Sequence, residues 1–183
     1  MSNCEGNMTG HLKIAEIGNP VLRSPAAPVT NIQDPAVQKL IDDLISTTLE
    51  SNGVGIAAPQ VSQSLQLFIV ASRPNLRYLH APKMDPTPMI NPQILHYSDE
   101  VVAGWEGCLS VPGMRGLVKR SKAIEVLYRD RYGQQNQRVF TDFVARIIQH
   151  EYDHITGKVF LDRVESTLDL MSEAEYHTRI VCG

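Results

Sequence analysis

Phe143-Val144-Ala145-Arg146-Ile147-Ile148-Gln149-His150-Glu151-Tyr152-Asp153-His154 runs without glycine or proline between Thr141/Asp142 and Gly157. Those start and stop signals predict one helix across it. Residues four apart share a helix face, so His150 and His154 can offer two imidazoles to one metal ion, with Glu151 close by as a base. The same spacing also arises on solvated helix faces that do no chemistry. Here Ile147, Ile148 and Ile155 surround the motif, which predicts a largely buried helix. Buried His, Glu and Asp side chains need partners, and a metal ion is one. Asp153 points away from the His150/His154 face and reads as structural.

Around this helix, 183 residues suffice for one domain with a sizeable core. The 17 Lys+Arg against 20 Asp+Glu, with no basic block, give no nucleic-acid or membrane-surface signature. No apolar run reaches the roughly 20 residues that span a bilayer. Residues 1–10 are polar and lack the apolar stretch of a secretory signal. They are expected to form a disordered tail ahead of a single catalytic domain over 11–183, in a cytoplasmic protein. Three cysteines, Cys4 and Cys182 near the ends and Cys108 in the body, do not make a disulfide framework.

Leu12 to Ile17 reads as a short extended piece ending in a turn at Gly18-Asn19-Pro20. Asp34 caps a helix opened by Pro35, and Val37, Leu40, Ile41, Leu44, Ile45 and Leu49 carry it at helical spacing to about Ser51. Its apolar face is core. Strands are expected at Leu65–Val70, Met89–Tyr97, Leu117–Lys119, Ala123–Tyr128 and Gln137–Phe140, with a hairpin turn at Asp130–Gly133. Ser72 to Pro88, including Arg77, reads as a long surface loop. Val159–Leu161 is expected to be extended, and Ser166 to Ile180 has a helical pattern without clear ends. Helices around a middle rich in short strands predict an α+β fold: short antiparallel sheets around a central metal-binding helix, with a further N-terminal helix.

Two more stretches matter. Asn52-Gly53-Val54-Gly55-Ile56-Ala57-Ala58-Pro59-Gln60 alternates small residues, which lets backbone approach a ligand or merely another segment. It lacks the spacing of a phosphate loop. Trp105-Glu106-Gly107-Cys108-Leu109-Ser110 places one cysteine between glycine-containing turns. A free cysteine is commonly a small buried hydrophobe, yet beside a two-histidine helix Cys108 is the natural third ligand. His80 and His96 stand alone and are not ligands.

His-Glu-x-x-His is best known from zinc peptidases. The metzincin pattern continues with a glycine and a third histidine; Gly157 fits, but Phe160 stands where that histidine belongs. A thermolysin-like site would draw a glutamate from a downstream helix, and Glu173 or Glu175 could serve. A closed structural metal site, or a binding protein without activity, needs neither Glu151 nor Gln60.

In this order, Gly53 to Gln60, Glu106 to Ser110 and Gln149 to His154 resemble the three signature motifs of the peptide deformylase family. Gly18-Asn19-Pro20-Val21-Leu22-Arg23 is similar to that family's N-terminal segment, so the resemblance runs from about Ile14 to Arg163. Departures are Ile155 where leucine is usual, Trp105 ahead of Glu106, and the insertion from Ser72 to Pro88.

The resemblance implies a metal held by Cys108, His150 and His154 with one open position. It implies Glu151 as the base toward water, and the Gln60 amide and the Leu109 backbone N–H as oxyanion donors. Substrate would lie along Gly53 and Gly55, near Glu106 and Gly107, with a methionine pocket from Val54, Phe143 and Ile147 and Arg146 at its mouth. Glu106 with Arg115 or Arg120 reads as a structural ion pair. The reaction implied is removal of formyl from the N-terminal formylmethionine of nascent polypeptides, releasing formate. Ferrous iron is the expected ion, with zinc, nickel or cobalt able to replace it. The expected partners are N-formylmethionyl peptides and, transiently, the ribosome.

Overall fold

A computed structural model describes residues 12–75 and 78–182. The expected tail at 1–10 and Arg77 lie outside those residues. In chain order the regular elements are α1 (Pro35–Glu50), β1 (Gly55–Ala57), β2 (Leu67–Val70), β3 (Thr87–Tyr97), β4 (Val101–Cys108), β5 (Val111–Ser121), β6 (Ala123–Arg129), β7 (Gln135–Thr141), α2 (Asp142–Ile155), β8 (Leu170–Ser172) and α3 (Glu173–Tyr176). The strands form two antiparallel sheets, one ordered β1-β2-β3-β6-β7 and one ordered β4-β5-β8. α2 lies between them, against β1, β2, β6 and β7 of the first and β5 of the second. This is the expected α+β arrangement.

Local chemistry accounts for the main elements. The Asp34 side chain accepts from the Ala36 N–H at 2.8 Å and so caps α1 just ahead of Pro35. Ile41 and Leu44 of α1 are fully buried with Ile56, Leu67 and Ile69. On its other face α2 packs Ala145, Ile147, Ile148 and Ile155 against Phe68, Val70 and Met89. Helices on both faces explain why all four residues of β2 are buried and why that strand reads as a continuous apolar run. Gly157 stops α2 at φ +79°, and a Cβ there would lie 3.0 Å from the Arg23 carbonyl. The glycine serves both the left-handed turn and the close approach.

Three expectations change. Val159–Leu161 is not extended: Phe160–Arg163 is a 3-10 turn in which Asp162 accepts from the Val159 N–H at 2.8 Å. Ser166–Ile180 is not one helix. A 3-10 turn at Thr167–Asp169 leads into β8, which pairs with Met114–Gly116 of β5, and α-helix begins only at Glu173, running on as a π-helix over His177–Val181. Cys108 is not set between glycine turns but ends β4, whose Gly104 and Gly107 are in-strand. A Cβ on Gly104 would meet the Arg146 guanidinium at 2.8 Å, and one on Gly107 the Arg115 side chain at 3.0 Å. These glycines let the two arginine side chains lie close against the strand.

Candidate metal centre

Cys108 Sγ at the end of β4 and ring nitrogens of His150 and His154 on α2 all lie within 4.8 Å of one another. Cys108 Sγ is 3.3 Å from His154 Nε2. A thiolate and an imidazole on one tetrahedral ion, with bonds of about 2.3 and 2.1 Å, stand ~3.6 Å apart, so the spacing fits. A thiolate with two imidazoles is also a donor set suited to a divalent transition ion. Glu151 Oε2 is buried without a hydrogen-bond partner among the described residues. Such an orphaned polar atom fits a site built around a further group.

Glu106 orients the first histidine. Its Oε2 lies 2.9 Å from His150 Nδ1, which leaves Nε2 as the nitrogen free to bind an ion. The same carboxylate accepts from Arg120 at 2.9 and 3.0 Å and from Arg146 at 2.8 Å. Arg120 also donates to Asp153 at 2.6 Å, and Asp153 accepts from Arg163 at 2.5 Å. A buried ion network thus runs behind the two-histidine face. Of the two expected partners of Glu106, Arg120 is the one that pairs, while Arg115 turns to Glu173 at 2.6 Å.

Charge and burial oppose each other here. Burial works against ionised Glu106, but hydrogen bonds from His150 and Arg120 outweigh it and hold the carboxyl far below its usual range. Burial likewise opposes the Cys108 thiolate, yet the imidazoles of His154 and His150 pull the thiol well below its ordinary value. For Glu151, burial wins over the attraction of His150 and His154 and raises the carboxyl to about 7. A carboxyl poised there can both take and return a proton near neutrality.

The cavity over this centre is lined by Gly53, Val54 and Gly55 of the β1 segment, Gln60, Glu106 to Leu109, and Phe143, Arg146, Ile147, His150 and Glu151 of α2. The predicted residues therefore meet at one place, with His154 beneath as the third member of the ligand group. Gly55 is needed there, since a Cβ would sit 2.5 Å from Glu151 Oε1. Gln60 Nε2 is 3.4 Å from Cys108 Sγ. Arg146 lines the cavity but donates to the carbonyls of Val102, Gly104 and Val118 as well as to Glu106. Glu173 and Glu175 are not in the ligand group, so the thermolysin-like alternative finds no third ligand among the described residues.

Sequence reasoning passed over Tyr78 and Trp105, which also line the cavity. Tyr78 comes from the 72–88 loop and packs tilted against Phe143 with ring centroids 5.1 Å apart, while Trp105 meets Tyr176 edge-on at 5.9 Å. Neither stands in a spacing pattern that could have marked it.

A family model described as polypeptide deformylase matches residues 11–169. Peptide deformylase 2 of a Nostoc species is 63% identical over 165 residues, covering 90% of this chain and 92% of that protein. A class I type b peptide deformylase from Acinetobacter baumannii, solved with Met-Ala-Ser bound, superposes with a TM-score of 0.84 at 46% identity, covering 86% of this chain and all of that one. The Thermotoga maritima peptide deformylase gives 0.77 at 35% identity, covering 86% and 99%. No helix among the described residues is long and apolar enough to cross a membrane. A matching family model over most of the chain, and relatives of this likeness, mean that the protein belongs to the polypeptide deformylase family of metal-dependent hydrolases.

Proposed function

We propose that residues 11–183 act as one catalytic domain that removes the formyl group from N-formylmethionyl peptides, with Cys108, His150 and His154 holding one divalent ion. The convergence of Cys108, His150 and His154 over a buried, unpartnered Glu151 carboxylate supports this reading most strongly. An ion bound there supplies Lewis acidity toward the formyl carbonyl and the attacking water. Glu151 takes the proton of that water as it adds to the formyl carbon. The Gln60 side-chain amide and the Leu109 N–H donate to the oxyanion that develops. Glu151 then returns the proton to the departing amine, giving formate and a peptide with a free N-terminus. The methionine side chain lies against Val54, Phe143 and Ile147, and the peptide backbone beside Gly53 and Gly55 as an added strand. Glu106 and Gly107 close the other side, with Arg146 behind them.

Ferrous iron is the ion we assign, with zinc, nickel or cobalt as substitutes that the same donors accept. The setting we assign is cytoplasmic, on nascent chains in transient contact with the ribosome. Formate release from formyl-Met-Ala-Ser, measured on anaerobically purified protein of known metal content, tests the reading. The expected result is stoichiometric formate and Met-Ala-Ser. Cleavage of an internal peptide bond with no formate would overturn it.

A further inference from the structure

Gln60 is 2% exposed, and every polar atom of its side chain is engaged. Oε1 accepts from the Ala57 N–H at 2.8 Å, and Nε2 donates to Ser110 Oγ at 3.1 Å and faces Cys108 Sγ at 3.4 Å. Ser110 is completely buried, and its own N–H is 3.4 Å from Cys108 Sγ. The metal site gives Ser110 no ligand role. One short segment also ties the two residues together, because the Ala15 N–H donates to the Gln60 carbonyl and the Ile17 N–H to the Ser110 carbonyl, both at 2.7 Å.

A primary amide has two N–H bonds in one plane. With Oε1 fixed by Ala57, the plane is still free to rock about that contact unless Nε2 is held as well. The geometry points to Ser110 as the positioning residue of Gln60: its hydroxyl takes one amide N–H so that the other is held toward Cys108 Sγ, which lines the reaction cavity. The 15–17 segment keeps the two in register. Removing the hydroxyl leaves that first N–H without its buried acceptor, and the amide plane is free to turn out of its present orientation. The second N–H is then lost from the place where oxyanion charge develops, which costs turnover rather than ground-state binding. The inference rests on Gln60 serving as oxyanion donor.

The test is a double-mutant cycle on the zinc-loaded enzyme with Ser110→Ala, Gln60→Ala and the pair, reading kcat, KM, metal content and thermal midpoint for each. Ser110→Ala is expected to lower kcat about tenfold with KM and metal content unchanged, and to have no further effect in the Gln60→Ala background. In the 15N spectrum of Ser110→Ala, the Gln60 side-chain amide should shift and exchange faster with water. Ser110→Thr, which keeps the hydroxyl, should recover kcat. Unchanged kcat, effects that multiply in the double variant, or a loss of activity matched by a loss of zinc would each overturn the proposal. Full activity in Gln60→Ala would instead remove the oxyanion role of Gln60, and this proposal with it. If Ser110→Ala does not fold, Ser110→Gly takes its place in the cycle with the same expected and contrary results.

Discussion

Glu106 Oε2 lies 2.9 Å from His150 Nδ1 while Arg120 and Arg146 hold the same carboxylate, so one buried acid joins a proposed metal ligand to the packing between β4, β5 and α2. Because Glu106 is 4% exposed, its charge is tolerable only with those partners. Glu106→Gln keeps the shape and one acceptor but removes the charge. It should weaken metal affinity about 10- to 100-fold, read by competition with a chromophoric chelator. Affinity equal to the parent protein would show that His150 is oriented by its packing alone.

Arg120→Met should be costlier for the fold than for the chemistry. It leaves Glu106 and Asp153 buried with fewer counter-charges, and breaking one partner out of a buried ion pair costs about 3–5 kcal/mol. Urea unfolding measures this. A change under about 1 kcal/mol, the usual size for an exposed pair, would mean that Arg146 and Arg163 compensate.

Acid should release the same network. Glu106 and Asp153 both have their carboxyl pKa lowered in the folded protein, Asp153 through Arg163 and Arg120 against its own burial. A depressed folded pKa contributes stability that is complete above the unfolded value, about 4, and is lost as pH falls toward the folded value. The contribution of this network to the thermal midpoint should therefore hold between pH 7 and 5 and drop steeply below about 4. In Arg120→Met that drop should be shallower. An equal slope in both proteins would count against the network as its source.

Gly55→Ala places a methyl 2.5 Å from Glu151 Oε1 and 2.9 Å from Ile147 Cγ2. The base has to move, and a shift of about 1 Å in a reacting group costs on the order of 10² in rate. Metal content should stay at one per chain, since Gly55 touches no ligand. Wild-type turnover in this variant would mean that Glu151 has room to adjust without loss.

The helix bearing His150, Glu151 and His154 was legible because helical period and two-histidine spacing coincide in one uninterrupted run. α1 was legible for a similar reason, with Asp34 and Pro35 marking its start. β4 was not, because Gly104 and Gly107 look like turn residues and only the side chains of Arg146 and Arg115 explain them. The C-terminal segment misled for another reason. The short β8 is a strand through its pairing with Met114–Gly116, a tertiary fact with no local period. Among site residues, Tyr78 and Trp105 come to the cavity through ring contacts across distant elements, which no spacing rule records.

Glu151→Gln, isolated without oxygen and analysed for iron and for formate release from formyl-Met-Ala-Ser on one sample, tests the division of labour most directly. Three ligands that do not include Glu151 predict about one iron per chain, while loss of the proton-transferring group predicts a fall in turnover of about 10²- to 10⁴-fold. Turnover close to the parent value in the iron-loaded variant would contradict the account, because the buried carboxylate at its centre would then have no part in the reaction.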